Sequence, residues 1–180
     1  MPMCRKMSMK RVILVLSILI FAACSNDVKL TLISQEEKID SYISTTFRDS
    51  TVVRNNGSNR VVLSRNESEP MAKKGDSIHF YYAGYVFNNS PSMIFATNLE
   101  AVAEQSGLVV TNPDYSVMKA TLSDGELIPG LVYGLEGVHQ GEHCIILFAA
   151  DLGFGAQKQY NIPRLSALAY EIWVERVIKQ

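Results

Sequence analysis

Apolar residues first gather in the run Val12–Phe21, which follows Arg5, Lys6, Lys10 and Arg11 and precedes the small residues Ala22 and Ala23. Ten residues are too few for a membrane-crossing helix, which needs roughly 20. A basic start, an apolar middle and a small-residue end have the layout of a secretory signal over residues 1–23. Further on the period changes. Ser34-Gln35-Glu36-Glu37 has the capping-box pattern, and Ile39, Tyr42, Ile43 and Phe47 follow at helical spacing, which predicts an amphipathic helix over 35–46. Thr51-Val52-Val53 and Arg60-Val61-Val62-Leu63 flank Asn56-Gly57, a turn dipeptide, and predict a hairpin.

Polar residues 64–75 read as a loop leading to Asp76 and the strand Ile78–Phe87, which Asn88, Asn89, Ser90 and Pro91 end. Asn98 can cap a helix running to Ser106, closed by Gly107, with Leu108-Val109-Val110 starting another strand or extended run after it. Pro129 suits the first turn of a short helix, His143–Ala149 reads as a buried strand, and Ser166–Ile178 reads as a terminal strand. Strands, a short late helix and strands again predict an α+β fold with an antiparallel sheet.

Charge alters the partner classes. The 180 residues carry a formal charge of −1, but residues 1–23 contain four basic residues and no acid, so residues 24–180 carry 13 basic and 18 acidic side chains and a charge of −5. An acidic chain without a basic patch is poorly suited to phosphate backbones, which excludes nucleic acid as the expected partner. Phe21-Ala22-Ala23-Cys24 resembles a bacterial lipobox, which implies lipidation of Cys24 after cleavage and a membrane anchor at the N-terminus. Ser25 and Asn26 follow, without an Asp directly after the cysteine, and the expectation is an envelope lipoprotein of the outer membrane. Cys4 is then removed and Cys144, in an apolar run, is expected in the core, so no disulfide framework arises.

Ordinary catalytic motifs are missing: there is no G-x-S-x-G elbow, phosphate loop or H-E-x-x-H. His139 and His143 are four apart, but Gly141 between them falls in a predicted turn, so neither a metal site nor a cofactor is expected. A different set of residues forms a pattern: Gly75-Asp76, Phe80-Tyr81-Tyr82-Ala83-Gly84, Phe95, Leu127-Ile128-Pro129-Gly130, Gly141, Phe154-Gly155 and Ile162-Pro163. With these the chain resembles the FKBP-type (immunophilin) peptidyl-prolyl isomerases over roughly residues 72–178, with an insertion between Phe95 and Tyr115.

The resemblance implies an antiparallel sheet wrapped around a short central helix over 65–180, with 24–64 as a tether containing an N-terminal helix and hairpin extension. It implies a pocket whose catalytic residues are Tyr82, Phe95, Ile128, Phe154 and Tyr170, with Met118, Leu127 and Leu131 binding substrate, and proline-containing polypeptides as clients. Four departures from the family pattern stand out: Ala96 replaces an Asp, Leu131 replaces the floor Trp, Phe154 replaces the flap Tyr, and Met118 replaces another aromatic. Each keeps the pocket apolar while removing a ring or a polar group. Three readings follow: an active folding isomerase, a degenerate protein-binding module, or a structural lipoprotein with a filled pocket. The segment 98–107 is expected near the pocket mouth.

Overall fold

The computed structural model describes residues 9–159 and 161–180, with side chains from Asp27 onward. The Cys24 side chain, and with it the expected lipidation, lies outside the described residues. The elements in order are α1 (Met9–Thr46), β1 (Thr51–Asn55), β2 (Ser58–Ser64), β3 (Ser77–Phe87), β4 (Pro91–Thr97), α2 (Glu100–Ser106), β5 (Met118–Thr121), α3 (Pro129–Leu135), β6 (His143–Phe148), a 3-10 turn (Ala150–Leu152) and β7 (Ala167–Ile178). No helix among the described residues is long and apolar enough to cross a membrane.

The strands form one antiparallel sheet in the order β1-β2-β6-β7-β3-β4, and β5 also pairs with β3. Successive side chains on a strand face opposite sides, so β6 and β7, apolar at nearly every position, supply two cores. On one face Ile146, Phe148, Leu168, Tyr170 and Ile172 pack with Leu131, Val132 and Leu135 of α3. On the other, Leu147, Ala167 and Ala169 pack with Ile39 and Ile43 of α1.

α3 lies very close to β6, because Gly130 and Gly134 present no side chain there. A Cβ at Gly130 would meet Phe148 Cγ at 2.4 Å, and one at Gly134 would meet Ile146 Cγ2 at 2.4 Å. The β1–β2 hairpin holds α3 from the side. Asn55 Nδ2 donates to Tyr133 O (3.1 Å), Ser58 Oγ to Gly130 O (2.8 Å) and Arg60 Nη2 to Gly137 O (3.0 Å). The Arg60 guanidinium also pairs with Glu142 at 2.8 Å, both side chains being buried. The extension is thus continuous with the main sheet through β2 and β6.

Several expectations about elements are corrected. α1 does not start at the Ser34 box but runs through it, since neither glycine nor proline interrupts the chain between Pro2 and Gly57. The hairpin turn forms as expected, with Asn56 (φ 46°) and Gly57 (φ 83°) both left-handed. β3 ends at Phe87, before Asn88, as expected; the unforeseen element is β4, which Pro91 opens at the sheet edge, where a missing N–H costs no ladder bond. Residues 108–110 form no strand, and Val109 is 93% exposed. Asn98 does not cap α2, whose N-cap is Leu99. Its buried amide instead accepts the Tyr82 N–H (2.7 Å) and donates to Phe80 O (3.3 Å) and Ser116 O (3.0 Å), tying β3 to the segment before β5.

Candidate active site

A cavity of about 400 Å³ opens between the central part of the sheet and the N-terminus of α3. All eight side chains named from the sequence line it: Tyr82 from β3, Phe95 from β4, Met118 from β5, Leu127 and Ile128 from the loop entering α3, Leu131 from α3, Phe154 after the 3-10 turn, and Tyr170 from β7. The space is not plugged by the molecule's own side chains, contrary to the filled-pocket reading.

Alternation along the strands decides which rings face inward. Phe80, Tyr82 and Gly84 share one face of β3, and Tyr170 lies opposite Gly84 on β7. Gly84 lets the rings come together: Phe95 meets Tyr170 edge to face at 5.6 Å between centroids and meets Phe154 at 6.5 Å. Tyr170 in turn stacks on Phe148 at 6.0 Å and lies 6.2 Å from Tyr82. Such offset and edge-on pairs hold the rings in place beyond their burial. Burial pushes the phenols of both Tyr82 and Tyr170 above the ordinary tyrosine value, so the walls disfavour charge.

Ile128 provides the polar feature of the floor. It is the N-cap of α3 in an extended conformation (φ −64°, ψ 147°), and its carbonyl accepts the N–H groups of Leu131 and Val132. Its own N–H has no acceptor at hydrogen-bond geometry among the described residues. Pro129 at N1 fixes the backbone there.

Sequence reasoning omitted Phe80, Glu126, Gln159, Asn161 and Ile162 from the lining. Phe80 was accessible from its two-residue spacing to Tyr82, and Ile162 from the Ile-Pro pair; the polar trio had no local marker. Glu126 accepts the Thr121 N–H. Ala96 does line the cavity, so the missing carboxylate is missing from the site itself. No α2 residue lines it, which corrects the expectation that 98–107 covers the mouth. The insertion packs instead through buried Ala103 and the Asn98 amide. His139 and His143 part company: Nδ1 of the first lies 3.1 Å from Glu69 O, whereas Nε2 of the second lies 2.8 Å from Glu171 Oε1. Cys144 is buried, and burial pushes its thiol far up, as suits a core residue.

A hollow lined by aromatic and aliphatic side chains, with an unengaged backbone N–H at a helix start inside a sheet wrapped over that helix, is the arrangement of an immunophilin-like pocket. The family model for FKBP-type peptidyl-prolyl cis-trans isomerases matches residues 69–175, more than half of the chain, and the protein belongs to that family. Among solved structures, FkpA from Escherichia coli aligns over 96% of this chain and 74% of its own, at 17% identity and a TM-score of 0.57. The three FKBP domains of wheat FKBP73 align over 73% of this chain at 12% identity and a TM-score of 0.58; the alignment spans half of the wheat chain. Among curated proteins nothing matches. The matched region begins after the hairpin, so α1, β1 and β2 lie outside it.

Proposed function

We propose that this protein is a peptidyl-prolyl isomerase that assists folding of polypeptides at the cell envelope, tethered through a lipidated Cys24. The observation that carries the isomerase reading is the open aromatic cavity with the Ile128 N–H at its floor, which has no acceptor among the described residues. Rotation about an X-Pro bond is slow because it destroys amide resonance, and it requires no nucleophile. The twisted amide has less charge separation than the planar one. Walls of Tyr82, Phe95, Phe154 and Tyr170 therefore desolvate it at smaller cost, and this difference between ground and transition state is what accelerates rotation. The Ile128 N–H is placed to hold a substrate carbonyl and fix the segment while the bond turns. The anchor and the outer-membrane location rest on the Phe21–Cys24 sequence.

A second reading, binding without turnover, is favoured by Ala96 and Leu131, which leave the cavity without the family's acid and floor ring. One experiment separates the two. Cis-to-trans conversion of a Leu-Pro peptide is followed with and without the purified protein, and binding of the same peptide is titrated. Isomerisation above the uncatalysed rate, reduced at least tenfold in Tyr82→Ala and Phe154→Ala, supports the enzyme. Binding with no acceleration supports the module.

A further inference from the structure

We infer that Gln35, on the helix preceding the family-matched region, is a positioning residue for the cavity: its side-chain amide fastens both ends of the segment that carries the Phe154 wall. The Ala150 N–H donates to Gln35 Oε1 at 3.0 Å, and Gln35 Nε2 donates to the Leu165 carbonyl at 2.7 Å. A carboxamide is suited to both because it offers an acceptor and a donor on one short plane.

The two fastened residues are the ends of a closed circuit. The Gly155 N–H donates to Ala150 O and the Leu165 N–H to Gly155 O, each at 2.8 Å, so Ala150, Gly155 and Leu165 are linked in turn and Gln35 completes the ring. Phe154 adjoins the middle of this circuit, and Ile162 lies on its return limb; both side chains line the cavity. Leu165 has φ 54°, a left-handed conformation disfavoured for leucine that persists where its surroundings hold it. The fastening point is itself fixed. Ile39 and Ile43, one and two turns further along α1 on the same face, are buried against Leu147, Ala167 and Ala169. Rigid helix, amide and wall thus form one connected path into the pocket from a part of the chain outside the matched region.

The kinetic part of this inference rests on the isomerase reading; the structural part does not. The test uses the purified full-length chain, with Trp173 emission as the check on global fold. In Gln35→Ala, exchange of backbone amides in 150–165 accelerates at least fivefold, and kcat/KM for a Leu-Pro peptide falls about fivefold to tenfold. Gln35→Glu keeps an acceptor for the Ala150 N–H but no donor for Leu165, and falls between; it decides the matter if the alanine variant does not fold. Lys38→Ala, on the same helix with an exposed link to Asn88, changes neither quantity. Exchange in 150–165 equal to wild type in the Gln35 variants overturns the inference. So does faster exchange with unchanged kcat/KM and unchanged peptide affinity, because the amide would then serve stability alone. A wild-type protein without isomerase activity rejects the proposed function instead, and peptide affinity then replaces kcat/KM in reading the Gln35 variants.

Discussion

Arg60 offers a sharp test of how the N-terminal hairpin is joined to the rest of the molecule. Its side chain is 2% exposed and lies 2.8 Å from a Glu142 carboxylate that is 0% exposed, while its buried Nε has no partner among the described residues. Glu142 also accepts the His139 N–H at 3.1 Å. Arg60→Met keeps most of the stem volume but strands a buried carboxylate, and removing one partner of such a pair costs about 3–5 kcal/mol. Against a total stability of about 5–15 kcal/mol this is a large fraction. With a urea dependence of about 1–3 kcal/mol per molar, the unfolding midpoint drops by at least about 1 M. Adding Glu142→Gln removes the stranded charge while keeping an acceptor for the His139 N–H. The double variant is then more stable than Arg60→Met by about 1–3 kcal/mol, the cost of the unpaired buried group, and the Glu142→Gln single variant completes the cycle that gives the coupling. Urea unfolding followed by Trp173 emission measures all members of the cycle. A loss below about 1 kcal/mol in Arg60→Met, or a double variant no more stable than the single one, refutes the reasoning from burial.

Gly84→Ala places a methyl 2.8 Å from Phe95 Cζ and 3.0 Å from Tyr170 Cε1, so both rings must shift at the cavity wall. Overpacking of this kind costs about 1–3 kcal/mol, and the expected result is a roughly tenfold loss in peptide affinity or kcat/KM, whereas unchanged values count against the assigned lining. Asp76 is held below its ordinary carboxylate value, chiefly by its bond to Lys179 and then by the Lys73 N–H. A folded pKa lower than the unfolded one stabilises the protein above the unfolded value, and that stability disappears as pH falls through the folded one. Asp76→Asn is therefore less stable than wild type at pH 7, and thermal midpoints of the two converge below about pH 4; a gap that stays constant down to acid pH contradicts the assignment.

Long runs of one character were readable in the sequence. Ile78–Phe87 and Ser166–Ile178 are rich in β-branched and aromatic residues, and their strands lie within a residue of the expected limits. The cavity lining was expected from the family resemblance alone; strand alternation on β3 and β7 and the proline-led start of α3 are the physical reason Tyr82, Tyr170, Leu127 and Ile128 share one cavity. Short edge elements were hidden. Met118–Thr121 has four residues and becomes a strand only because β3 offers its free edge there. Asn98 has the chemistry of a cap, but three backbone partners from β3 and the Ser116 region outcompeted the helix end. The Gln35 link spans 115 and 130 residues in sequence to its two partners, and no local pattern could have signalled it.

The position of β7 has a bearing on synthesis. It is the last of the seven strands among the described residues, yet it lies in the middle of the sheet with β6 on one side and β3 on the other. A growing polypeptide can form the first hairpin early, but the two halves of the sheet have nothing to join them until residues 167–178 emerge. Shortened chains that stop before Ala167 would leave two unsatisfied interior edges, the kind of surface that invites pairing with other chains. Closure of the sheet therefore waits on a central strand made after all its neighbours.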